Sequence, residues 1–110
     1  MKKEIREALS EEQLKQRIEI IVVMLMNISL VEYKRGKALD AIMKAKQATE
    51  FNPQESKAFF RLAMAHKLAN DFDSAKASFI NAIKLDPNNL TIRREYIDLV
   101  TIQSEKEKQW

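Results

Sequence analysis

The chain has 110 residues, 45% hydrophobic and 32% charged, the balance of one ordinary globular domain. A single Gly, where a typical content of about 7% would supply seven or eight, excludes folds that depend on positive-φ turns and phosphate loops. The absence of Cys and the single His exclude disulfides, thiolate nucleophiles and zinc sites of the Cys or paired-His kind, so no cofactor or metal is expected.

The net charge of +3 comes from basic residues interleaved with acidic ones, which lack the dense stripe of a nucleic-acid binder. The longest apolar run, Ile20 to Met26, is too short to span a membrane. Met1-Lys2-Lys3-Glu4 leads into charge rather than an apolar leader. With the lack of Cys, this fits a reducing, cytoplasmic setting.

In chain order, residues 1–9 read as one or two helical turns. Ser10-Glu11-Glu12-Gln13 is a capping box, and it predicts a long helix over 11–34 that ends in Tyr33-Lys34-Arg35-Gly36. A second helix is predicted over 38–50, with Leu39, Ile42, Met43, Ala45 and Ala48 inward, stopped by Asn52-Pro53. A third spans 55–69 and ends at Asn70. A fourth follows Asp71 and runs to 85, where Asp86-Pro87-Asn88-Asn89 breaks it. A fifth spans 90–107, with Ile92, Tyr96, Leu99 and Val100 available to cover the preceding pair. No window alternates with period two, so the class is all-α.

Helices in pairs joined by short turns suggest a repeat. At an offset of 34 residues Ala41 meets Ala75, Ala48 meets Ala82 and Pro53 meets Pro87; Leu25/Phe59 and Ile28/Leu62 match in apolar character. Ala75-x3-Phe79, then Ala82, then Pro87, resembles the second half of a tetratricopeptide repeat (TPR). Small residues let two antiparallel helices approach closely, and one large side chain fills the gap between pairs. In the first copy Ala45 stands where Phe79 stands, which weakens that copy. The expected architecture is a TPR solenoid within one domain: a remnant of a preceding repeat and the start of the long helix over 1–21, repeats over 22–55 and 56–89, and a capping helix over 90–110.

In such a solenoid the first helix of each pair lines the concave groove. The groove-facing positions hold Met26 and Asn27 in the first repeat and Lys57, Phe60 and Arg61 in the second. Lys57 and Arg61 lie four apart on one face. Arg can grip a carboxylate bidentately, Lys supplies a compact charge and Asn can both donate and accept, a set suited to an extended acidic peptide.

Asn27-Ile28-Ser29, Lys57-Ala58-Phe59-Phe60-Arg61, and Asn70-Asp71-Phe72 running to Ala75 and Phe79 resemble the C-terminal TPR domain of large FKBP-type immunophilins, over roughly residues 20–100. The resemblance implies a carboxylate clamp for the acidic Glu-Glu-Val-Asp C-terminus of a heat-shock chaperone of the ninety- or seventy-kilodalton class. Carried over by position, Asn27, Lys57 and Arg61 are clamp residues, with Phe60 and Met26 as an apolar floor. A full clamp in that family also takes a Lys and an Asn from the preceding repeat, so this chain holds at most half of one. Isomerase activity, in this reading, belongs to a longer parent.

No enzymatic site is expected within the chain. His66 reads as a packing residue, Asp71 and Asp73 as helix caps, and the serines have no base at useful spacing. The rival reading keeps the fold and drops the clamp: a generic TPR scaffold that binds another protein, or associates with itself as a homodimer or helix swap. That reading draws on Ile20 to Met26, which is apolar all round its helix and would leave an apolar patch exposed.

Overall fold

The computed structural model describes residues 10–108 as five helices: α1 (Glu11–Lys34), α2 (Ala38–Phe51), α3 (Ser56–Leu68), α4 (Phe72–Leu85) and α5 (Leu90–Lys108). The turns expected over residues 1–9 lie outside the described residues. Consecutive helices pack against each other, and α1 also packs beside α3, so the pairs α1–α2 and α3–α4 stack in register with α5 on the end.

Each boundary has a local cause. The Ser10 hydroxyl accepts from the Gln13 amide at 3.1 Å while the Gln13 side chain accepts from the Ser10 amide at 3.0 Å, so the capping box is complete. Gly36 ends the first helix at φ +77°, with its amide bonded to Tyr33 and that of Lys37 to Glu32. Asn70, 34 residues on, takes the same left-handed place at φ +61°, and the Asp71 amide reaches back to His66. Lys37 and Asp71, the residues that begin α2 and α4, share φ −92° and ψ 80°. Thus the repeat extends to the backbone of its turns, beyond the three identities at that offset.

Of the two acids flanking Phe72, Asp71 is the cap, with its carboxylate accepting from the Ser74 amide; Asp73 lies inside the first turn of α4. Asn89 caps α5 in the same way, accepting from the Ile92 amide at 3.2 Å.

The core is a seam of small residues. Ala41, Ala45 and Ala48 on α2, Ala58, Ala63 and Ala65 on α3, and Ala75 and Ala82 on α4 are all fully buried. Serines extend the seam: the buried Ser29 hydroxyl on α1 donates to the Ala41 carbonyl at 2.8 Å, and Ser56 on α3 donates to that of Ala82 at 3.0 Å. Such short side chains bring backbones close enough for hydroxyl-to-carbonyl bonds between helices. Phe79 is the large exception. Its ring is fully buried, tilted against Phe60 at 6.1 Å and edge-on to Tyr96 of α5 at 6.4 Å. Ile92 and Leu99 close that end of the core, and the Lys106 ammonium sits 4.4 Å from the centre of the Phe72 ring.

Three apolar expectations are corrected. Leu39 and Met43 are 77% and 55% exposed, because α2 turns its Ala41/Ala45/Ala48 stripe to the core and puts these two on the opposite side. Val100 is also exposed, since α5 meets the fold through Ile92, Tyr96 and Leu99. Phe79→Ala should cost about 3–5 kcal/mol in urea unfolding, while Leu39→Ala should stay within about 0.5 kcal/mol. Equal costs would contradict this packing.

His66 is half-buried in the last turn of α3. Burial lowers its pKa from 6.5, Lys46 lowers it further, and Asp71, 3.9 Å from Nδ1, partly opposes both. The folded state therefore favours neutral imidazole. Its contribution to stability is full above pH 6.5 and is lost as pH falls through the depressed folded value. A melting temperature that drops between about pH 7.5 and 5.5, with a smaller drop in His66→Gln, is expected; identical drops in the two proteins would contradict it.

Candidate peptide-binding groove

Between α3 and the start of α5 lies an open cavity of about 410 Å³. One wall is Glu55, Ser56, Lys57, Phe60 and Arg61; the other is Asp86, Asn89, Thr91 and Ile92. The fold makes this wall by packing α3 and α5 on the same helix, α4, through Ala63, Phe79 and Leu99.

Lys57 is exposed and Arg61 half-buried, one turn apart on α3. The Arg61 guanidinium carbon lies 5.9 Å from the centre of the Phe60 ring. Its Nε is buried with no hydrogen-bond partner, and desolvation by burial lowers the guanidinium pKa. The group stays charged at neutral pH all the same. A cation with an unsatisfied donor, held against an aromatic face, is ready to take an anionic acceptor. Phe60 itself is fixed from behind by Phe79.

Lys57, Phe60 and Arg61 are thus brought together, as the sequence predicts. Asn27 is exposed on α1, the helix beside α3, but it is not part of this cavity wall. Met26 is a correction. It is 6% exposed and sits with Val22, Ala48 and Ala58 in the core between the pairs, because α3 leans on α1 through Ala58 and leaves no gap for the longer side chain to reach the surface.

Sequence reasoning missed the second wall. Its signal was present in the repeat period: Lys57 plus 34 is Thr91, and Asn27, Arg61 and Glu95 are successive members of one position. The capping helix therefore continues the groove with first-helix positions of its own. Glu95 spans the two helices through an ion pair with Lys67 at 3.5 Å.

Residues 56–89 match the tetratricopeptide repeat family model. The chain is 30% identical over 86 residues to a cattle (Bos taurus) peptidyl-prolyl cis-trans isomerase, FKBP4, in a match covering 76% of this chain and 19% of that protein. A match to human FKBP4 is 33% identical over 64 residues, covering 58% of this chain and 14% of that protein. The chain spans about a fifth or less of the curated relatives it matches.

Among solved structures, the C-terminal TPR-containing domain of a Plasmodium falciparum FK506-binding protein superposes with a TM-score of 0.79 at 25% identity, over 90% of this chain and 66% of that one. The first TPR of Spaghetti (RPAP3), solved with the HSP90 peptide SRMEEVD, superposes with a TM-score of 0.72 at 20% identity, over 76% and 66%, which shows a shared fold. Residues 56–89 are a tetratricopeptide repeat, and the described helices form a tetratricopeptide-repeat solenoid related to the repeat domains of FKBP-type immunophilins.

Proposed function

We propose that this domain docks the acidic C-terminal peptide of a heat-shock chaperone, of the ninety- or seventy-kilodalton class, in the groove between α3 and α5. The observation that carries the reading is the pairing of Lys57 and Arg61, one turn apart in one cavity, with no ion-pair partner for either among the described residues. Two free cations beside an aromatic ring suit carboxylates next to an aliphatic side chain. Arg61 grips one carboxylate, Lys57 holds a second, and Phe60 contacts the apolar residue between them. Asn27, on the neighbouring helix, orients the peptide backbone where it passes α1.

The chain acts as a cytoplasmic adaptor for a longer parent, and prolyl isomerisation belongs to that parent. The likeness to FKBP4 and the peptide bound by the Spaghetti TPR support this reading.

A second reading is favoured by α1. Met24, Ile28 and Val31 are exposed there, while the residues 34 positions on, Ala58, Leu62 and Ala65, are buried in α3. A face of α1 that matches a buried face of α3 suits self-association or another protein partner. Under this reading sedimentation velocity detects a dimer at high micromolar concentration that Met24→Lys/Val31→Lys abolishes; monomer throughout would contradict it.

Each charge-assisted hydrogen bond contributes roughly 1.5–3 kcal/mol. Arg61→Ala should therefore weaken binding of free-acid Met-Glu-Glu-Val-Asp by about tenfold or more in calorimetry. Amidating the peptide should have a comparable effect, and added salt should weaken binding further. Unchanged affinity in Arg61→Ala would contradict the clamp.

A further inference from the structure

The groove carries two charges that the docking reading leaves unused. Glu55 and Asp86 line the same cavity as Lys57 and Arg61, and none of the four belongs to an ion pair within 4.0 Å among the described residues.

The two acids are held at one end of the groove by a shared anchor. The Ser56 hydroxyl and the Asp86 amide both donate to the Ala82 carbonyl, each at 3.0 Å, which ties the residue after Glu55 to the residue that ends α4. Each carboxylate spends one oxygen locally. Glu55 Oε1 accepts from the Lys57 amide at 3.4 Å, and Asp86 Oδ2 accepts from Asn89 Nδ2 at 3.1 Å. The other oxygen of each has no donor among the described residues, and an ionised carboxylate has room for several.

A uniformly acidic peptide would meet repulsion at this end. We infer that the groove takes a peptide of mixed charge, with its acidic end on Lys57 and Arg61 and a basic side chain upstream of that end against Glu55 and Asp86. This rests on the docking reading. Six helical residues separate Glu55 from Arg61, a rise of about 9 Å. An extended peptide covers that distance in about three residues. The basic residue therefore belongs two or three positions before the acidic residue that Arg61 holds. Its guanidinium or ammonium supplies the donors that the free oxygens lack, and it selects among peptides that share an acidic terminus.

Two free-acid probes test this in amide-resolved NMR titrations: Ser-Arg-Met-Glu-Glu-Val-Asp and the same peptide with Ala for Arg. The Arg peptide should bind roughly two- to fivefold tighter to the unaltered chain. With Glu55→Gln and Asp86→Asn, which keep a side-chain acceptor at each position, the preference should vanish. A third probe with Glu for Arg needs no variant protein and should bind more weakly than the Ala peptide, which keeps the test decisive if the double variant fails to fold. Equal binding of all three peptides, or a preference that survives in a folded double variant, would overturn this inference and leave the clamp standing. No binding of any peptide at millimolar concentration would overturn both.

Discussion

Close approach of helix backbones across small side chains is the constraint on which the structure depends. The fully buried alanines of α2, α3 and α4 leave room for little else, and the serine hydroxyls reach neighbouring carbonyls only because of that proximity. Such a seam buries modest apolar area per residue, so the large side chains that are buried matter disproportionately. Phe79 is the chief of these: it touches Phe60 on one side and Tyr96 on the other, joining the core to the groove and to the capping helix.

The groove follows from this seam. Because α3 and α5 both pack on α4, their outward faces form the two walls of one cavity. Phe60 is shared: one side rests on the core, the other carries the Arg61 guanidinium. The pairing gives Arg61 a fixed position in a partly dry setting, where an electrostatic contact is stronger than in water. Buried partnerless Nε and exposed Lys57 then complement each other, one as a directional donor and the other as a mobile charge.

Much of this was legible in the sequence, for identifiable reasons. Helix ends were readable because each is marked by a residue whose local chemistry decides it: Ser10 and Gln13, Gly36, Asn70 and Asp71. The repeat was readable from Ala41/Ala75, Ala48/Ala82 and Pro53/Pro87. Facing was less readable. Leu39 and Met43 were expected inward because they are apolar, but a helix in an alanine seam turns its smallest face to the core. Met26 is hidden for a different reason: the period places it on the groove side, and the approach of Ala58 closes over it. The acids Glu55 and Asp86 look like ordinary turn residues in the sequence. Only the common anchor at Ala82 brings them to one end of one cavity.

The central claim is that the groove between α3 and α5 receives the acidic peptide. Paramagnetic broadening by a free-acid Met-Glu-Glu-Val-Asp peptide spin-labelled at its N-terminus tests this most directly, because it reports location independently of affinity. The account predicts loss of amide signal that is strongest along Lys57 to Arg61 and the first turn of α5, with a lesser loss on α1 around Asn27. Broadening confined to Met24, Ile28 and Val31 would contradict it and place the partner on the first helix.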